Sequence, residues 1–95
     1  MMFRKLNPVL HSELRLAIVS FLVTKGESDF NELKKVTKAT SGNLSVQLKK
    51  LEIANYIQIK KTFKNNYPYT QVKITKEGID AFEEYVQALK DYIKK

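Results

Sequence analysis

Ninety-five residues, 43% hydrophobic and 28% charged, suffice for one small core in one domain and leave no room for a second, catalytic one. Cysteine is absent and histidine occurs once, which excludes a disulfide framework, a thiolate zinc site, a cysteine nucleophile and any histidine cluster with metal-ligand spacing. Seventeen lysines and arginines against ten acids give a net charge of +7, which points to a polyanionic partner, and the excess is central: residues 56–75 carry four lysines and no acid, residues 76–95 a net −1.

Leu10, Leu14, Ala17, Ile18, Phe21 and Leu22 recur at three- and four-residue steps, so the spacing predicts an amphipathic helix over roughly 9–24. Asn7 or Ser12 is its expected cap, and Gly26 its C-terminal stop. Asp29 with Glu32 three residues on resembles a capping box, and Phe30, Leu33 and Val36 share a face, which predicts a short second helix. Thr37 to Thr40 is a break. From Ser41, the pattern Leu44, Leu48, Leu51 marks a third helix running to about Asn55. The period then falls to two. Ile57 and Ile59, and later Val72 and Ile74, alternate with polar neighbours, predicting antiparallel strands at 56–60 and 70–74. Between them Phe63 to Pro68 reads as a polar hairpin tip projecting from the body. Thr75 can cap a last helix with Glu77 in its first turn and Ile79, Phe82, Val86, Leu89 and Ile93 along one seam.

A short helix joined by a tight break to a second is the arrangement that presents the second to a DNA major groove, and a following hairpin makes it a winged helix-turn-helix. The run Thr40-Ser41-Gly42-Asn43-Leu44-Ser45-Val46-Gln47-Leu48-Lys49-Lys50-Leu51-Glu52, followed by Ala54-Asn55-Tyr56-Ile57, resembles the recognition helix and first wing strand of small MarR/ArsR-like winged-helix regulators. Pro68-Tyr69-Thr70 and Ile74-Thr75-Lys76-Glu77-Gly78 resemble the returning wing strand and the start of the last helix in that family. The resemblance spans roughly residues 9–93. It implies a mainly helical α+β fold with a three-helix core, a two-stranded β-hairpin wing and a long C-terminal helix. Residues 1–95 would form a single winged-helix DNA-binding domain, with the helix-turn-helix at 29–55, the wing at 56–75 and a C-terminal dimerisation helix at 76–95.

On the third helix, Leu44, Leu48 and Leu51 point inward at about 100° per residue, while Gly42, Asn43, Val46, Lys49 and Lys50 lie opposite and Ser41, Ser45 and Gln47 flank them. Amide and hydroxyl groups there can read base edges, the lysines can meet phosphates and Val46 can touch a thymine methyl. The family often has arginine or another long polar residue where this chain has Val46, which disfavours guanine readout at that position. In the wing, Lys60, Lys61, Lys64, Asn65, Asn66 and Tyr67 are the expected DNA contacts; lysine is a phosphate-seeking charge without arginine's preference for narrow minor grooves. Tyr67 and Tyr69 can equally pack on the hairpin.

The seam on the last helix, widened by Tyr85 and Tyr92, has the 3.5-residue spacing of paired helices, so Ile79, Phe82, Tyr85, Val86, Leu89, Tyr92 and Ile93 are the expected homodimer contacts, with help from Phe3 and Leu6. The alternative is that this stripe covers the domain's own core. His11, beside Ser12 and Glu13 on one helix, cannot form a nucleophile–base pair with them and no oxyanion or phosphate loop accompanies it, so it reads as a surface or interface residue. The expectation is therefore a sequence-specific double-stranded-DNA regulator acting as a dimer, not an enzyme, with no cofactor or metal and no effector ligand specified by the residues. The alternative is a winged helix for protein assembly or RNA contact. No apolar run approaches the roughly 18 residues of a membrane span, and the N-terminus lacks a signal-peptide core, so a cytoplasmic protein without membrane contact is expected.

Overall fold

The computed structural model of the chain describes residues 2–93, so the last two positions of the expected 76–95 segment lie outside the described residues. Its elements are α1 (Glu13–Lys25), β1 (Glu27–Asp29), α2 (Phe30–Thr37), α3 (Ser41–Ile53), β2 (Ile57–Lys64), β3 (Tyr67–Ile74) and α4 (Lys76–Ile93). None of the described helices is long and apolar enough to cross a membrane.

The first helix starts later than its apolar spacing suggests. Asn7 Oδ1 accepts from the Val9 and Leu10 amides, closing a separate turn that drops Leu10 into the core, and α1 follows with Ser12 at its N-cap. Ser12 makes no side-chain cap bond. Gly26 ends α1 at φ +91°, a backbone region open to glycine, and its amide reaches back to Leu22 O at 2.6 Å. Because α1 touches α2, α3, α4 and the sheet, its buried arc is wide: Val19 is fully buried with Ile18 and Leu22, whereas Ala17 is exposed.

Asp29 caps α2 by accepting from the Glu32 amide at 2.8 Å, but the expected reciprocal bond is absent. The Glu32 carboxylate accepts instead from Ser28 Oγ and Lys25 Nζ, satisfying Ser28, the one buried polar side chain among the described residues. Thr40 caps α3 by accepting from the Asn43 amide at 3.2 Å. Asn55, left-handed at φ 65°, turns the chain out of α3 into β2, since asparagine tolerates that region better than most residues.

The sheet holds three antiparallel strands in the order β1-β3-β2. β1 has no apolar alternation to announce it; it forms because β3 presents an open edge, with Ser28 opposite Val72. The hairpin is longer than expected. β2 and β3 pair from Ile57↔Ile74 out to Lys64↔Tyr67, and the turn is Asn65-Asn66, both left-handed at φ 52° and 66°, the backbone of a tight two-residue hairpin turn. Pro68 lies within β3, outside the body where no third strand needs its amide.

Leu10, Ile18, Val19, Leu22, Leu33, Leu44, Leu48, Leu51, Ile57, Val72 and Tyr85 form one core. Thr75 locks α4 to the end of α3: its Oγ1 accepts from the Gly78 amide at 3.0 Å and donates to Asn55 O at 2.7 Å. Gly78 sits so close to the Tyr56 carbonyl that a Cβ there would fall 2.3 Å from the oxygen. Extents of 56 × 25 × 21 Å give the molecule its elongated form.

Candidate nucleic-acid interface

Burying Leu44, Leu48 and Leu51 against α1 and the sheet turns the rest of α3 outward. Ser41, Gly42, Asn43, Ser45, Val46, Lys49 and Lys50 are all exposed, Val46 at 52% despite being apolar. An apolar side chain left in water gains by being covered, so Val46 is available to a partner's apolar group such as a thymine methyl. Lys49 Nζ lies 3.2 Å from Glu52 Oε1, and Lys50 has no side-chain partner among the described residues.

Gln47 is placed differently from its neighbours. It is half-buried, its Oε1 accepts from Arg15 Nη1 and its Nε2 donates to Asn43 Oδ1 at 3.0 Å. Rather than reaching freely outward, it is held between α1 and the exposed Asn43. Arg15, absent from the sequence-based site, also donates from Nε to Val9 O at 2.6 Å. A cation on a largely apolar helix was its only sequence signal, and its partner lies 32 residues away.

The hairpin contains no acid, but its lysines do not form one cluster. Residues directly opposite in an antiparallel pair share a face and successive residues alternate. Ile57, Ile59, Lys61, Phe63, Pro68, Thr70 and Val72 therefore lie on the face towards the helices, and Lys60, Lys64, Tyr67, Tyr69 and Lys73 on the other. Lys61 and Thr70 line an open groove together with Ser45 and Lys49 of α3, so this lysine and the outer face of α3 flank one channel. On the far face Lys64 Nζ sits 5.2 Å from the Tyr69 ring centre, a cation–π contact that accounts for one of the two wing tyrosines. Asn65, Asn66 and Tyr67 are exposed at the tip, and so is Phe63, at 73%, which sequence reasoning left out.

The expected pairing seam on α4 divides. Tyr85 belongs to the domain's own core: it is buried, and its Oη lies 3.0 Å from His11 Nδ1. It is therefore not a contact for another molecule, and His11 has an intramolecular partner. Phe82 and Leu89 also pack against that core. Gly78, Ala81 and Ala88 lie on the same side of the helix as Tyr85, Phe82 and Leu89, so the face towards the body mixes small and large residues. Ile79 and Val86 remain half-buried and Ile93 is 65% exposed, in a stripe seven residues apart. Tyr92 Oη donates to Arg4 O, its ring packs 5.2 Å from Phe3, and Arg4 Nε lies 2.8 Å from Asp91 Oδ2, which lays the N-terminal segment along the end of α4. Leu6 packs against the core. Among the described residues no group of three His, Cys, Asp or Glu is placed to hold a metal ion.

A family model described as a winged helix DNA-binding domain matches residues 14–93. An uncharacterized protein of Methanocaldococcus jannaschii is 35% identical over 78 residues, which make up 82% of this chain and 85% of that protein. The solved structure of a transcriptional regulator homologue from Pyrococcus horikoshii OT3 is similar over 90% of this chain and 84% of its own, with a TM-score of 0.83 and 29% identity. The structure of NadR in complex with 4-hydroxyphenylacetate shares the fold over 90% of this chain and 63% of its own, with a TM-score of 0.73 and 22% identity.

Proposed function

The chain belongs to the winged helix DNA-binding domain family, and from that premise we propose that this regulator reads double-stranded DNA as a homodimer, with α3 in the major groove and the hairpin on the phosphate backbone. The carrying observation is the exposed face of α3, polar apart from Val46, flanking a common groove with an acid-free hairpin through Ser45, Lys49, Lys61 and Thr70. Asn43, Ser45 and Val46 meet base edges, with Ser41 and Gly42 beside them. Lys49, Lys50, Lys60, Lys61 and Lys64 meet phosphates, which position the protein without reading sequence. Asn65, Asn66 and Tyr67 reach the neighbouring backbone.

The whole chain forms one domain in this reading, with the helix-turn-helix, wing and C-terminal helix as its working parts. It is a cytoplasmic binding protein and not an enzyme. Two copies pair through the outer stripe of α4, Ile79, Val86 and Ile93, extended by the exposed Phe3 and Tyr92. Half-sites about 34 Å apart, one duplex turn, are the spacing expected for the two α3 helices of such a dimer.

Selection of bound duplexes from a random pool, followed by titration of the winner over a range of salt, tests the reading. A two-fold-symmetric preferred sequence is expected, with a slope of log affinity against log salt between about −5, for six phosphates, and about −9, for all ten lysines of the two copies. A slope near zero, or no enriched sequence, overturns it.

A further inference from the structure

The hydrogen-bonding sense of the α3 surface is dictated from inside the domain. Arg15, anchored to the Val9 carbonyl at 2.6 Å, donates to Gln47. A guanidinium has N–H donors and no acceptor, so the atom of Gln47 that faces it must be Oε1. The amide nitrogen of the same side chain then points the other way, where it donates to Asn43 at 3.0 Å. Only an acceptor can receive it, so Asn43 turns Oδ1 inward and is left with Nδ2 outward, unpartnered among the described residues. A free asparagine offers a donor or an acceptor by rotating about its last bond; this one is committed to donating.

We propose that Arg15 is a positioning residue which, through Gln47, makes Asn43 a one-way donor and so selects an acceptor at the base it meets. The proposal rests on the reading of α3 as the major-groove helix. Guanine presents two acceptors there, N7 and O6, and fits best. Thymine O4 and adenine N7 each supply one. Cytosine N4 is a donor and is rejected. The two-point pairing of asparagine with adenine needs an outward-facing oxygen, and Oδ1 is turned towards Gln47.

The test changes the sense without removing the contacts. Gln47→Glu keeps an acceptor for Arg15 but has no proton to give, so Asn43 must turn Nδ2 inward and present Oδ1. At the duplex position identified by loss of preference in Asn43→Ala, relative affinity should move by about tenfold towards adenine or cytosine, a change within the range of one base contact. Preferences elsewhere in the site should stay as they are. Arg15→Lys preserves a donor and should keep the wild-type preference, whereas Arg15→Met should flatten it at that one position.

In the DNA-free protein, proton exchange of the side-chain amides supplies an independent readout. Asn43 Nδ2 protons should exchange fast in the wild type and slowly in Gln47→Glu. An unchanged base preference in Gln47→Glu, or slow Asn43 exchange in the wild type, overturns the relay. A wild-type protein with no duplex preference overturns the reading beneath it and with it the selective role of Asn43; the exchange pattern separates that result from failure of the relay itself.

Discussion

Two glycines occupy the first turns of helices, Gly42 in α3 and Gly78 in α4, and alanine at either would gain up to about 1 kcal/mol of helix propensity. Propensity alone therefore makes both substitutions stabilising. At Gly42 a Cβ meets nothing within 4 Å, and Gly42→Ala should stabilise the fold by about 0.5–1 kcal/mol. At Gly78 the same atom would lie 2.3 Å from Tyr56 O and 2.8 Å from Ile74 Cδ1. The isoleucine methyl can rotate away. The carbonyl is held where it accepts from the Thr75 amide at 3.1 Å, so α4 or the start of β2 must shift by about an ångström. Overpacking of this kind costs about 1–3 kcal/mol and the weakened hydrogen bond about 1 more. Set against the propensity gain, Gly78→Ala should lose about 1–3 kcal/mol, which for a domain of this size lowers Tm by about 5–20 °C. Urea and thermal melts followed by circular dichroism read both variants. A Gly78→Ala protein as stable as the wild type would refute the close approach of α4.

Replacing Lys60 and Lys64 together by alanine removes four lysines from the dimer and should flatten the salt slope by up to about 3.6 while leaving base preference intact, measured by fluorescence anisotropy on the selected and on a scrambled duplex. Val86→Asp with Ile93→Asp should convert a species of about twice the 11.0 kDa chain mass into a folded monomer by sedimentation, whereas Tyr85→Asp should unfold the domain; a wild type sedimenting at the chain mass removes the dimer. Hydrogen bonds from Lys25 and then Ser28 hold the Glu32 carboxyl below its ordinary range, so its contribution is present above the unfolded value of about 4.3 and is lost as pH falls through the lower folded value. Glu32→Gln should therefore shallow the acid limb of the stability profile below that pH, and an unchanged limb would mean the pairing contributes nothing.

The helices were legible because each buries one side: Leu33 in α2 and Leu44, Leu48 and Leu51 in α3 announce both period and direction. The strands were legible only where a body lies beneath them. Ile57, Ile59, Val72 and Ile74 alternate because they cover the core, and beyond Lys61 and Thr70 the hairpin stands clear, where no buried face imposes a pattern. β1 escaped for a related reason, since three polar residues become a strand only when a neighbour lends them an edge. The α4 seam was legible only in part, since its Phe82, Tyr85 and Leu89 turn to the domain's own core beside small residues that no apolar pattern announces. Gly78, Ala81 and Ala88 mark the approach, and the conspicuous Ile79, Val86 and Ile93 lie to one side of it. The exposed residues of α3 followed directly from its leucines, but the inward hold on Gln47 depends on an arginine far away in the chain.

The alternation along the projecting hairpin limits how its length can change. Removing one cross-strand pair, such as Thr62 with Tyr69, would carry everything beyond it to the opposite face, putting Lys64 and Tyr67 over the α3 groove and Phe63 and Pro68 behind it. Removing two successive pairs restores the original sides and only shortens the reach, by about 7 Å at roughly 3.4 Å per residue. Wings of this architecture should accordingly be lengthened or trimmed four residues at a time, two from each strand, with the Asn65-Asn66 turn carried along unchanged. A graft that ignores that step would retain the pairing and the turn yet direct the wrong set of side chains towards α3.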